Sequence, residues 1–102
     1  MKFDIYIKVR FRTSSEGGRK TPLKRKTPQG PNFYAYPLIV DGKGYDCRLL
    51  IEDKDIELGK YYEIPVIFLD KDLALANLSI GKDITLWEGK EIADGQVTRI
   101  CT

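Results

Sequence analysis

Residues 2–12 alternate between apolar and polar side chains, and this pattern constrains the fold more than any other feature of the sequence. The apolar phase consists of Phe3, Ile5, Ile7, Val9 and Phe11. A sustained period of two is typical of a β-strand that buries one face. The segment therefore predicts a long strand whose apolar face contributes to a hydrophobic core.

Further strand patterns follow, separated by turn signals. Asp41-Gly42-Lys43-Gly44 predicts a hairpin turn, because glycine tolerates positive φ. Pro37 predicts a bulge or an edge position, and Gly95 predicts a bulge in the last strand. The other predicted strands span 32–40, 45–51, 61–69, 83–87 and 91–100. Short strands without a sustained helical period predict one all-β domain, a barrel or sandwich, over residues 1–102.

The segment from Lys8 to Lys26 is strongly basic. It carries eight of the 17 lysines and arginines and one acid, Glu16, so its net charge is +7 against +2 for the whole chain. A basic loop beside a basic strand face can attract phosphates or an acidic protein surface. The alternative is a solvated loop whose charges protect a sheet edge from aggregation.

The residue inventory argues against catalysis. The chain contains no histidine, so it lacks the commonest general base and the commonest metal ligand. Its two cysteines, Cys47 and Cys101, form no C-x-x-C pair, and no G-x-x-x-x-G-K-[ST] loop is present to hold a nucleotide. We therefore expect a non-enzymatic protein without metal or cofactor, in which Cys47 is a small core residue.

No apolar run approaches the length of a membrane helix, and the start of the chain lacks the apolar core of a signal peptide. We therefore expect a cytoplasmic protein with reduced thiols.

Two stretches resemble the third, C-terminal domain of elongation factor Tu and related translational GTPases. Glu16-Gly17-Gly18-Arg19-Lys20-Thr21-Pro22 resembles the family's E-G-G-R-x-T-P loop after the first barrel strand, and Pro31-Asn32-Phe33 resembles the P-x-F that follows. Residues 87–97 resemble the family's last hairpin and keep its E-G and later G-x-V. The resemblance covers nearly the whole chain and implies a six-stranded antiparallel β-barrel.

The resemblance also implies contacts with aminoacyl-tRNA, because this domain touches the T-stem in the family. The positions that match tRNA-contacting ones are Arg19, Lys20, Asn32 and Gly89, with Lys71 as a looser match. Asn32 stands where family members typically have glutamine. Without a nucleotide-binding loop, the chain would be such a barrel without its GTPase.

These observations lead to a hypothesis of a non-catalytic binding module for tRNA or a translation-related protein. Its site would be the loop from Glu16 to Lys26 with the outer face of the first strand. Gly17 and Gly18 would let the loop backbone approach a ligand closely. The charge-assisted contacts would come from Arg19, Lys20, Lys24, Arg25 and Lys26.

The alternative hypothesis involves protein partners without nucleic acid. The barrel would mimic part of elongation factor Tu and compete for its partners, or act as an inhibitor or immunity-type protein. The acidic stretch from Glu52 to Glu57 would then matter as much as the basic loop. The sequence leaves the oligomeric state open.

Overall fold

The computed structural model describes residues 2–24, 32–51 and 55–101 as a closed, antiparallel six-stranded β-barrel. The order around the barrel is β1-β4-β3-β2-β5-β6. The strands are β1 (Ile5–Phe11), β2 (Asn32–Val40), β3 (Lys43–Ile51), β4 (Tyr61–Phe68), β5 (Asp83–Trp87) and β6 (Glu91–Ile100). The predicted all-β class and six-stranded antiparallel barrel are confirmed.

Strand β1 buries four of the five residues of the predicted apolar phase inside the barrel, while Phe3 precedes the strand and is half-buried. Ile5, Ile7, Val9 and Phe11 are each 0% exposed. The strand pairs with β4 on one side and with β6 on the other, so both of its edges are hydrogen-bonded. The alternation in the sequence thus places one set of side chains in the core and the other on the outer surface.

The β2–β3 hairpin has the turn that its sequence predicts. Asp41 and Gly42 both have positive φ, 50° and 77°, which is the signature of a type I′ turn matched to the twist of the strands. On β3 the inward phase includes Cys47, which is 2% exposed. Burial raises the pKa of its thiol to about 12, so the residue is a neutral core side chain, as predicted.

The predicted irregularity at Pro37 takes a different form from a bulge. The register of β2 with β3 runs continuously through the pair Pro37↔Asp46. The ladder between β2 and β5 consists of Leu38 and Ile39, so Pro37 lies just outside it. The missing N–H of proline is therefore accommodated where the ladder to β5 has ended.

The predicted bulge at Gly95 is wrong in position. The register of β6 shifts against β5 at Ile92 and against β1 at Thr98, while Gly95 pairs regularly with Ile84 and Val9. Gly95 serves close approach instead, since a Cβ there would lie 2.4 Å from the carbonyl oxygen of Lys8. The extra residue at Ile92 explains why the apolar alternation changes phase in this strand.

Two short helices complete the described chain. A 3₁₀ helix spans Ser14–Glu16 after β1, and α1 spans Lys71–Leu75 after β4. The carboxylate of Asp70 accepts a hydrogen bond from the backbone N–H of Leu73, which caps the start of α1. In the parts of the chain that the structure describes, no helix has the length and hydropathy needed to span a membrane.

We predict that Gly95→Ala destabilises the fold by about 1–3 kcal/mol, because the added methyl group meets rigid backbone between β1 and β6. Gly44→Ala is the matched control on β3. Its Cβ would lie 3.1 Å from the flexible end of Ile39 and 3.7 Å from the Cβ of Pro37, and the substitution should change stability by less than about 0.5 kcal/mol. Urea unfolding measures both, and equal stability of the two variants would contradict the assigned role of Gly95.

Candidate nucleic-acid interface

Glu16 is held in place by the residues that precede it. Its carboxylate accepts hydrogen bonds from the backbone N–H of Thr13 at 2.8 Å and from the hydroxyl of Thr13 at 3.0 Å. The guanidinium of Arg10, on the outer face of β1, forms an ion pair with it at 3.1 Å. The Thr13 and Arg10 contacts lower the pKa of Glu16 from 4.5 to about 2.

The two glycines of the loop are explained by the path of the backbone. Gly17 ends the 3₁₀ helix with φ of 84°, a left-handed conformation that favours glycine. Gly18 is buried against β1, and a Cβ there would lie 2.1 Å from the carbonyl oxygen of Arg12. Both residues were predicted to let a ligand approach, and Gly18 instead lets the loop approach its own strand.

Arg19 links the loop to two distant parts of the barrel. Its guanidinium donates to the hydroxyl of Tyr36 on β2 at 2.8 Å and to the carboxylate of Glu88 at 2.7 Å. Its Nε donates to the carbonyl of Thr21 at 3.2 Å. The side chain is 18% exposed. A phosphate would therefore have to compete with partners that already satisfy this cation.

Glu88 belongs to the turn between β5 and β6, which also contains Gly89. Gly89 has φ of 70°, and the N–H of Glu88 donates to the carbonyl of Lys90 across the turn. The Arg19–Glu88 ion pair consequently joins the E-G-G-R loop to the E-G turn. The two sequence motifs are therefore adjacent in the structure, and an ion pair connects them.

The other described bases of the basic segment are largely paired as well. Arg12 donates two hydrogen bonds of 2.7 Å to Asp94 and lies 3.3 Å from Glu91, and Lys24 lies 3.4 Å from Asp55. The hydrogen bonds from Arg12 lower the pKa of Asp94. Together with the pairs of Arg10 and Arg19, four of the six described bases are matched by five carboxylates.

The remaining predicted site residues are spread over the surface. Lys20 is exposed and forms no ion pair with any described residue. The backbone of Asn32 begins β2 opposite Ile51. Arg25 and Lys26 lie outside the described residues. The structure therefore brings Arg19 to the Gly89 turn, where Glu88 already pairs with it, and Lys24 pairs instead with Asp55.

Aromatic and cationic side chains meet instead on the outer surface of β1 and its two neighbours. The ammonium of Lys8 lies 5.2 Å from the centroid of the Tyr61 ring on β4. The guanidinium of Arg99 on β6 lies 5.1 Å from the centroid of the Tyr6 ring. Tyr61 is 62% exposed. We call this surface, defined by Tyr6, Lys8, Tyr61 and Arg99, the β1 face.

A shallow depression of about 290 Å³ adjoins the β1 face. Lys8 and Tyr61 line one part of it, and Asp83, Asp94 and Gln96 line the rest together with Gly95. The amide of Gln96 donates to Asp83 at 3.1 Å. The depression thus offers an aromatic ring, a cation and hydrogen-bonding groups within one concave surface.

The predicted site included the outer face of the first strand, which carries Tyr6 and Lys8, but it did not include Tyr61 or Arg99. Each lies on the outward phase of its strand, which the alternation shows. Their neighbours depend on the register, because Tyr6 lies opposite Arg99, and Tyr61 lies opposite Arg10, two pairs along the ladder from Lys8. The order of strands around the barrel, which follows from no local pattern, brings these side chains together.

Comparisons with models of known protein families and with curated proteins give no match to this chain. Within the described residues, no group of three or more cysteine, aspartate or glutamate side chains is arranged to hold a metal ion.

Since the pKa of Glu16 is lower in the folded chain, this carboxylate contributes stability that is fully present above pH 4.5 and is lost as pH falls towards 2. We predict that Glu16→Gln is less stable than the wild type at pH 6. Its melting temperature should also change less between pH 4.5 and 2, because the titrating group is gone. Thermal unfolding monitored by circular dichroism across this range measures both, and identical pH profiles would contradict the assigned contacts.

Proposed function

We propose that this barrel is a non-catalytic RNA-binding module and that its contact surface is the β1 face. The observation that carries the proposal is the pair of aromatic–cation contacts, Lys8 with Tyr61 and Arg99 with Tyr6, on one outer surface. The resemblance to the third domain of elongation factor Tu supports tRNA as the first RNA to test.

The chemistry of the β1 face suits unstacked RNA bases. An aromatic ring gives a base a stacking surface, and a cation beside the ring contacts the adjoining phosphate. Tyr61 is well exposed for such stacking, and Lys8 lies at its ring. The depression next to it can receive a base edge, with the carboxylate of Asp83 and the amide of Gln96 within its lining.

The basic loop is a less suitable contact surface than its composition indicates. Arg19 is satisfied by Tyr36 and Glu88, and Arg10 by Glu16. If either arginine bound a phosphate instead, its carboxylate would lose a partner. The free energy lost with that ion pair would offset the free energy gained from the phosphate contact. In the proposal the loop has a structural role, and Lys20 is its one described cation that stays available for RNA.

The perturbed ionisable groups support a binding rather than a catalytic role. The lowered pKa values of Glu16 and Asp94 arise from ion pairs and hydrogen bonds within the barrel. The raised pKa values of Tyr36 and Cys47 arise from burial. Each of these shifts has a structural cause. Asp94 lines the depression beside the β1 face, and its pKa is lowered by the hydrogen bonds from Arg12, so this carboxylate is already paired within the barrel.

We predict that the domain binds fluorescently labelled tRNA at low salt and that Tyr61→Ala weakens binding roughly 5- to 150-fold, the range that one stacked base accounts for. Tyr61→Trp, which keeps a stacking ring, should retain affinity. Lys8→Gln and Arg99→Gln should each weaken binding. Fluorescence anisotropy measures the dissociation constants.

Lys43→Gln is the matched control, since it removes an exposed base at the β2–β3 turn, away from the β1 face. It should bind RNA as the wild type does. Absence of tRNA binding at low salt would overturn the proposal. Binding that survives Tyr61→Ala and Lys8→Gln but is lost in Lys20→Glu would assign RNA to the loop instead.

A further inference from the structure

The outer surface around β3 has a different character from the β1 face. Its outward charges, Asp46 and Arg48, are flanked on both neighbouring strands by apolar residues. Arg48 lies opposite Ala35 on β2 and Ile67 on β4. Asp46 lies opposite Pro37, and its carbonyl accepts a hydrogen bond from the N–H of Leu69.

We call this surface the β3 face. Apart from Asp46, Arg48 and Asp70, whose carboxylate caps α1, it is apolar, and its leucines project into solvent. Leu69 is 74% exposed and Leu73, on α1, is 56% exposed. Together with Asp46 they line a depression of about 180 Å³, and Leu69 also borders one of about 250 Å³ next to Pro37 and Arg48. Exposed leucines grouped around concave surface are typical of a protein contact.

Among the described residues, Asp46 and Arg48 of the β3 face differ from the charges around the basic loop in their lack of an ion-pair partner. Within the described chain neither Asp46 nor Arg48 forms an ion pair, whereas Arg10, Arg12 and Arg19 each do. An acid and a base that lie two residues apart on one face of a strand, surrounded by apolar side chains, form a pattern that is complementary to itself.

We propose that the β3 face binds the β3 face of a second copy of this chain, forming a two-fold symmetric dimer. A two-fold axis lying in the interface, across β3 and midway between Asp46 and Arg48, places each of these charges opposite the other in the partner. The same axis places Leu69 opposite Ile67 and Pro37 opposite Ala35. Each of these six residues then meets one of matching character, as a self-complementary interface requires.

The self-complementary charge pattern favours a second copy of this chain, rather than an unrelated protein, as the binding partner. An unrelated partner would need only the leucines, and it would not require an acid and a base at symmetric positions about their midpoint. The β1 face is centred on a different strand, so the dimer leaves Tyr6, Lys8 and Arg99 accessible. The inference therefore stands independently of RNA binding.

Light scattering coupled to size exclusion, over a series of protein concentrations, tests the proposal. We expect the wild-type mass to rise with concentration towards twice the chain mass of 11.7 kDa. Asp46→Arg and Arg48→Asp should each stay monomeric, because like charges then face each other across the axis. Circular dichroism of each variant establishes that its barrel is folded.

Mixing the two variants is the decisive step. A mixed dimer has two acids on one chain facing two bases on the other, so the mixture should recover the dimeric mass that neither variant reaches alone. Leu69→Glu should be monomeric both alone and in any mixture. A wild type that stays monomeric at all concentrations, variants that dimerise as the wild type does, or a mixture that stays monomeric would each overturn the proposal.

Discussion

The pairing of β1 with both β4 and β6 is the constraint on which the rest of this structure depends. It closes the sheet, buries the apolar phase of the strand completely and turns the polar phase outward. Closure requires β6 to approach β1 closely at Gly95, where a side chain would meet the backbone of Lys8. A closed barrel removes exposed sheet edges, so the charges near β1 are not needed to protect an edge. The outer residues of β1 contact side chains of the neighbouring strands, as Lys8 contacts Tyr61 and Tyr6 contacts Arg99.

The basic segment shows why composition alone misjudges an interface. Its net charge of +7 is a property of neighbouring positions in the sequence, whereas its ion-pair partners come from distant positions. Arg12 reaches Asp94 and Glu91, and Arg19 reaches Glu88, so much of the positive charge is neutralised once the barrel closes. The Arg19–Glu88 pair also gives the two recognisable motifs a shared structural purpose. The E-G-G-R and E-G motifs can therefore have a structural role in the barrel that does not depend on what the domain binds.

Local features of the fold could be predicted from the sequence because each depends on nearby residues. The alternation of β1, the Asp41-Gly42 turn and the burial of Cys47 are of this kind. The bulge in β6 was predicted at the wrong residue. A glycine such as Gly95 gives the same sequence signal whether it marks a bulge or a close approach between strands. The candidate site could be predicted only in part. Lys8 and Tyr6 follow from the alternation, but their neighbours Tyr61 and Arg99 depend on the order and register of strands, which no short motif encodes.

We propose that RNA contacts the β1 face while Arg10, Arg12 and Arg19 keep their carboxylate partners. The salt dependence of binding to an unstructured single-stranded RNA tests it most directly, because the slope counts the phosphates that the protein neutralises. Contacts through Lys8 and Arg99 predict a log–log slope of about −1.4. A loop that used Arg19, Lys20, Lys24, Arg25 and Lys26 would give a slope of about −3.5. We expect the shallow slope for binding through the β1 face, and a steep slope would assign RNA to the basic loop.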